Sequence, residues 1–306
     1  MPYTLKIFKY FQDMSAKIFC PCKVNLMLAI TGVRADGFHN LISLVAPTRF
    51  GDFLEVEPLP AGAASDELSC NMPDVPCDSS NLVIKAAELF RAATGSGARF
   101  NFRLQKNTPA GAGLGGGSSN GAAALAALNK LEGDPLSARA LENLAAKLGS
   151  DCPLFLTGNP VVMRGRGEKV FPLSGEAKEY ISMLRLLLFK PDFSINTGWA
   201  YAQMKANPEV YIDPDAAEAR LSEWLENPSI TGLPLINNMQ IEAFKKYPAL
   251  EVALESVRQN FGVPAMMSGS GSACFAIVND LDAARLDALK SHIRGMLGET
   301  CFIADA

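Results

Sequence analysis

The chain has 306 residues, which at about 100–200 residues per domain suggests two domains and a core that needs no disulfide or metal. Its composition is 48% hydrophobic and 20% charged, with 25 glycines and 19 prolines, which excludes disordered, collagen-like and coiled-coil classes. A net charge of −4 offers no basic face to nucleic acid or anionic lipid, and two histidines, His39 and His292, argue against His-built metal centres and hydrolytic triads.

Met1 to Phe19 carries Lys6, Lys9, Asp13 and Lys17 without an unbroken apolar run, unlike a signal peptide. Val24, Leu26, Leu28 and Ile30 alternate with Lys23, Asn25, Met27 and Ala29, predicting a strand with one core face and one polar face. Leu54 with Val56, and then Phe100, Phe102 and Leu104, repeat the pattern and predict a largely antiparallel sheet. Residues 61–80, with Gly62, Pro73 and Pro76, read as a surface insertion. Ser80 or Asn81 caps a helix that ends near Gly95. A second helix is expected from about Ser119 to Leu131. A third takes Asp134 as its cap, Pro135 as its first residue and Gly149 as its stop.

Val161 to Val170 predicts a hairpin around Gly165 and Gly167. The pattern restarts after about residue 175, dividing the chain into domains 1–175 and 176–306. The second holds strands at Leu184–Phe189, Ser272–Val278 and Thr300–Ile303 and a helix from Asp280 to about Leu297. Met183–Phe189, the most apolar stretch, contains Arg185 and is too short to span a bilayer. Seven scattered cysteines without CxxC spacing suggest reduced thiols and a cytoplasmic protein.

Pro109-Ala110-Gly111-Ala112-Gly113-Leu114-Gly115-Gly116-Gly117-Ser118-Ser119 places five glycines in seven positions between a strand and a helix. Glycines strip away Cβ atoms so that backbone N–H groups wrap an anion, and the helix adds the positive end of its dipole. The segment predicts a phosphate cradle, with the two serines free to cap the helix, bind phosphate or reach Mg²⁺. A dinucleotide fingerprint fits Gly111, Gly113 and Gly116 in spacing, but an alternating strand precedes it and no second parallel strand follows. No Gly-Lys-Ser/Thr follows either, so it is not a Walker A loop. A flexible linker is the plain alternative. A second turn, Met267-Ser-Gly-Ser-Gly-Ser-Ala273, suggests a cleft over polyphosphate. Asp151, in Gly149-Ser-Asp-Cys-Pro153, reads either as a helix cap or as a catalytic carboxylate. Lys23 reads either as a solvated lysine or as its partner.

Taken together, these segments resemble the GHMP kinase superfamily. Lys23-Val-Asn-Leu-x-Leu-x-Ile-x-Gly32-x-Arg34-x-Asp36-Gly-Phe-His39 resembles its first motif, Pro109–Asn120 its second, Leu148–Pro153 the segment with the catalytic Asp, and Met267–Ala273 its third. The Gly-Leu-Gly-Gly-Gly-Ser-Ser form and the Gly-Phe-His run resemble the branch that phosphorylates a cytidine-diphosphate-linked methylerythritol in non-mevalonate isoprenoid synthesis. The resemblance implies an α+β fold with an N-terminal α/β ATP-binding domain and a ferredoxin-like C-terminal domain. It implies ATP and Mg²⁺, the latter without assigned ligands, and a small-molecule substrate with no nucleic-acid or membrane partner. It implies Asp151 as base for the substrate hydroxyl and Lys23 as its cationic partner. Residues 109–119 are then expected to hold ATP, with Asn81 a further candidate at the adenine. Phe38 and His39 are expected to hold the cytosine, Tyr201 to supply a second ring, and Asn25 and Lys106 to touch substrate. Phe38 stands where the family has Tyr, and Asn237-Asn238 where it commonly has Asn-Asp. A sister kinase with another alcohol substrate and a silent ligand sensor of the same fold are the alternatives.

Overall fold

The computed structural model describes residues 7–10 and 15–306. Among these the elements run, in chain order, β1 (Ile7–Tyr10), β2 (Ser15–Val33), β3 (His39–Pro58), β4 (Glu67–Cys70), α1 (Leu82–Thr94), β5 (Phe100–Gln105), α2 (Gly116–Leu131), α3 (Ala138–Leu148), α4 (Cys152–Thr157), β6 (Val161–Gly165), β7 (Lys169–Pro172) and α5 (Gly175–Ser182). They continue with β8 (Leu186–Lys190), α6 (Thr197–Ala206), α7 (Pro214–Glu226), β9 (Ile236–Asn237), α8 (Met239–Lys246), α9 (Pro248–Phe261), β10 (Ala265–Met267), β11 (Cys274–Ile277), α10 (Ala283–Leu297) and β12 (Phe302–Asp305). No described helix is long and apolar enough to cross a membrane.

Contacts divide the chain into two compact units. One takes the chain up to Cys22 with Gly51–Ala110 and Gly115–Asn159; the other takes Lys23–Phe50, Gly111–Leu114 and Pro160–Ala306. In the first, the C-terminal half of β3 pairs antiparallel with β5, from Phe53 opposite Gln105 to Pro58 opposite Phe100. β4 joins β5 in parallel, so the expected antiparallel sheet is mixed, and the 61–80 insertion supplies a strand rather than only a loop. α1 begins at Asn81, whose side chain accepts from the Val83 amide, and ends at left-handed Gly95, as its sequence predicts. It packs on α2 where a Cβ on Gly121 would lie 2.7 Å from Leu148 Cδ2 and 3.1 Å from Leu82 Cβ; glycine lets these helices approach.

Two helix starts differ from expectation. α2 begins three residues earlier than Ser119, behind Gly115 at φ 71, and no side chain caps it. α3 is capped by Ser137, not Asp134, because Asn129 bonds both the Leu136 N–H (2.9 Å) and its carbonyl (3.1 Å). That stitch holds Pro135 in the connection and leaves Asp134 at φ 61 beside Lys130.

In the second unit β6 pairs antiparallel with the start of β3, and β6 and β7 form the predicted hairpin. A second sheet, in the order β10-β11-β8-β12, is antiparallel throughout, with α9 and α10 packed together beside it. β2 departs most from its pattern. Residues 20–30 are buried on both faces, so Lys23 and Asn25 are interior residues rather than members of a solvated face.

Candidate functional site

The glycine segment is threaded by alternation. Gly111, Gly113 and Gly115 take left-handed backbone angles (φ 62, 79 and 71), while Ala112 and Leu114 between them, and Gly116 after them, are buried. The side chains of Ala112 and Leu114 thus anchor the loop inside, and the glycines flanking them supply the turns that L side chains resist. The glycines have separate duties. A Cβ on Gly113 would lie 2.6 Å from the Ser268 carbonyl oxygen and 3.2 Å from Gly271, so this position lets the loop lie on the second glycine-rich turn. A Cβ on Gly116 would meet Lys106 Nζ and Thr108 Cγ2, each at 3.0 Å; its constraint is internal packing, not room for a ligand. Gly117 is exposed and would find only Leu82 Cδ1, at 3.9 Å. Ser118 and Ser119 do not cap α2, and the Ser119 hydroxyl is buried with no hydrogen-bond partner among the described residues.

Within the second unit, Lys23 reaches this loop from β2. Its amide donates to the Leu114 carbonyl (2.9 Å), and its ammonium donates to Asn25 Oδ1 (2.6 Å). A Cβ on Gly269 would stand 3.5 Å from both the Lys23 ammonium and Asn25 Oδ1, so the two side chains meet the second turn. Asn25 also donates to Ser43 Oγ (2.9 Å), and its amide donates to Ser268 Oγ (3.3 Å). Asn237, whose importance the sequence did not reveal, fixes that turn by donating to the Met267 and Gly269 carbonyls (2.8 and 2.9 Å). Asn238 uses its amide NH₂ to bond the Ile30 and Val210 carbonyls while its oxygen accepts from the Ile30 amide; a carboxylate there could only accept.

Asp151 lies in the first unit at the N-cap of α4, yet makes no capping bond. α4 packs on α2, and the neighbouring Cys152 thiol, pushed up to about 12 by burial, is met by the Ser118 hydroxyl. Asp151 is thereby carried to the first turn of α2.

The predicted base-binding residues gather in the second unit in an unexpected arrangement. Phe38 is 52% exposed, in the turn before β3, while His39 is buried. Tyr201 lies against His39, ring centroids 4.8 Å apart and 32° from parallel, rather than standing free as a second platform. Tyr211, absent from the sequence reading, places its hydroxyl 3.1 Å from His39 Nε2. Burial, aided by the charge of Lys205, holds the His39 pKa below its ordinary value and so favours a neutral imidazole.

Lys106 and Asn81 already have internal bonds. The Lys106 ammonium pairs with fully buried Asp52 and donates to Asn120 Oδ1 (3.1 Å), while Asn120 Nδ2 donates to Asp52 Oδ2 (2.9 Å). Asp52 also receives the Asn107 and Thr108 amides (2.9 and 2.8 Å), and so clamps the chain just before the glycine segment. Asn81, besides capping α1, donates to the Pro76 carbonyl (2.7 Å). No described cluster of three or more His, Cys, Asp or Glu side chains offers a metal cage.

Comparison with known proteins matches two family models to this chain, the GHMP kinase N-terminal domain over residues 81–159 and the GHMP kinase C-terminal domain over residues 216–291. A 4-diphosphocytidyl-2-C-methyl-D-erythritol kinase of Carboxydothermus hydrogenoformans is 36% identical over 268 residues, covering 88% of this chain and 90% of that one. The protein of that name from Methylacidiphilum infernorum is 36% identical over 286 residues, covering 93% and 94%. A crystal structure of 4-(cytidine 5'-diphospho)-2C-methyl-D-erythritol kinase superposes with a TM-score of 0.74 at 32% identity, covering 94% of this chain and 98% of that one. By its motifs, its fold and this likeness along nearly its whole length, the chain belongs to the GHMP kinase family.

Proposed function

We propose that this chain transfers the γ-phosphoryl group of ATP to the 2-hydroxyl of 4-diphosphocytidyl-2-C-methyl-D-erythritol, in the non-mevalonate route to isoprenoid precursors. The observation that carries the kinase reading is the loop. Glycines at positive φ turn the backbone outward, exposed Gly117 follows, and α2 starts with no side-chain cap on its N–H groups, leaving them for phosphate oxygens. The relatives named for this substrate, together with Phe38 and His39, support the choice of acceptor.

Phosphoryl transfer needs in-line positioning and charge stabilisation more than covalent help. Residues 109–119 hold the nucleotide, and Asp151 accepts the proton of the attacking hydroxyl. The Lys23 ammonium, set by Asn25, stabilises charge on the transferred group. Phe38 offers its exposed ring to the pyrimidine, and neutral His39, oriented by Tyr211, offers a ring nitrogen to the base edge. Mg²⁺, when bound, would offset negative charge on the nucleotide phosphates, and such ions are commonly held by phosphates with one or two protein oxygens rather than a full cage. The unpartnered Ser119 hydroxyl fits that role. We keep the division near residue 175 as the functional one, since the two family models lie on either side of it. We also keep a cytoplasmic setting, in line with seven scattered cysteines without CxxC spacing.

Asp151→Asn tests the assignment. General-base loss is expected to cut turnover by about 10²–10⁴-fold while calorimetry shows unchanged ATP affinity. Near-normal turnover would remove Asp151 from the mechanism. ADP release with the cytidine-linked erythritol, but not with homoserine or mevalonate, would separate this activity from that of sister kinases.

A further inference from the structure

Lys190 ends β8 with only 6% of its surface exposed, and among the described residues its ammonium forms no ion pair. It donates instead to two carbonyls of the turn that follows, those of Pro191 (2.8 Å) and Phe193 (2.9 Å). Asp192, between them in sequence, favours the ammonium by its charge, yet its carboxylate accepts from the Thr300 hydroxyl. A buried cation met only by carbonyls is costly to keep, but its charge-assisted bonds grip those carbonyls more firmly than neutral donors would.

The gripped turn opens a connection that touches both glycine-rich segments within the second unit. The Phe193 carbonyl also receives the Ser272 hydroxyl. Ser194 Oγ would lie 3.7 Å from a Cβ on Gly111, and Ile195 Cδ1 would lie 3.1 Å from one on Gly271. The Thr197 and Ser270 hydroxyls are 2.9 Å apart. The two glycine segments are themselves joined where the Ala273 amide donates to the Ala112 carbonyl (3.1 Å). Asn196 then caps α6 by accepting the Trp199 amide (2.8 Å), and Tyr201, further along that helix, lies against His39. Lys190 belongs to none of the sequence motifs, but its two bonds set the start of this path.

We propose that Lys190 is a positioning residue for phosphoryl transfer: its ammonium ties down the 191–197 connection, which seats the two glycine segments and starts the helix that carries Tyr201. This role rests on the reading of those segments as the nucleotide site and of His39 with Tyr201 as the base pocket. It adds one support shared by both ligands, set by a side chain that touches neither.

Hydrogen exchange on the ligand-free protein, with calorimetric titration of CDP and of a non-hydrolysable ATP analogue, tests this in wild type, Lys190→Met and Ser272→Ala. Methionine keeps an unbranched stem and removes the donors. Lys190→Met is expected to speed exchange of the Gly271 and Ala273 amides about tenfold, leaving α9 as in wild type, and to weaken both ligands about tenfold. Ser272→Ala keeps Lys190 but cuts the Phe193 carbonyl from the glycine turn. It is expected to act in the same direction by about threefold, and it carries the test should Lys190→Met not fold. A lower melting temperature with exchange and both affinities unchanged would make Lys190 a structural residue only and overturn the proposal. Weakening of one ligand alone, where wild type binds both, would overturn it too. Wild-type protein that binds the ATP analogue but not CDP would instead overturn the base-pocket reading; exchange at the two amides and affinity for the analogue would then decide the role of Lys190.

Discussion

Replacing Asp52 by Asn tests whether the glycine segment depends on a buried charge pair. The side chain keeps its shape, and its oxygen can still receive the Asn107 and Thr108 amides. The new NH₂ group, however, faces two donors, Lys106 Nζ and Asn120 Nδ2. Rotating the Asn120 amide satisfies one of them only by turning its own NH₂ toward Lys106. Either way the ammonium, 5% exposed, loses its charged acceptor inside the core. Breaking one side of a buried pair costs about 3–5 kcal/mol, most of it the penalty on the ion left behind. Lys106→Met removes that ion, so the Asp52→Asn/Lys106→Met double variant is expected to be more stable than the sum of the single losses by at least about 1 kcal/mol. Urea unfolding of the four proteins measures this. A loss below about 0.5 kcal/mol in Asp52→Asn, or strict additivity in the cycle, would show that the pair is not coupled as its geometry requires.

Two further perturbations separate ligand room from internal fit. Gly117→Ala puts a methyl group on the exposed first turn of α2, where alanine is preferred to glycine by about 0.5–1 kcal/mol. Thermal stability is therefore expected to hold or rise while ATP affinity falls; unchanged affinity would take the phosphates away from this turn. Gly113→Ala is expected to lose both, because φ 79 and the Ser268 carbonyl at 2.6 Å oppose a side chain whether or not nucleotide is present. His39 sets a pH dependence. Its folded pKa is lowered, so it contributes stability in full above 6.5 and loses it as the pH falls from there through the folded value. His39→Gln should therefore flatten the stability difference between about pH 7.5 and about pH 5.5, and identical slopes in melts of the two proteins would refute the burial argument.

What could be read in the sequence follows the range of the interactions. Asn81 and Gly95 bracket α1 because caps act within a turn, and Gly165 with Gly167 marked the hairpin because tight turns demand positive φ. Period-two alternation located β2, but not the cover on its second face, which comes from a turn 243 residues away in sequence through Asn25 and Ser268. Lys106 is a candidate for substrate contact because it lies beside the second motif; its partner Asp52, 54 positions earlier, is out of reach of that reading. Asp134 preceded proline in the manner of a helix start, yet an amide contributed from the preceding helix, Asn129, delays α3 to Ser137. Tyr211 sits outside every motif and reaches His39 only through the fold.

The cations near the motifs also show why proximity in sequence is a poor guide to role. Burying an ammonium or guanidinium is costly unless its charge or its donors are met, so each solution restricts what the group can still do. Lys106 is neutralised by Asp52, and that pairing spends its charge on holding Asn107 and Thr108 in place; it positions the loop without adding a net charge to it. Lys23 is equally buried; its ammonium donates to the Asn25 amide oxygen and meets the second glycine turn. The division predicts different chemistry on substitution. Changes at Lys106 should appear first in stability, and changes at Lys23 in the rate of phosphoryl transfer.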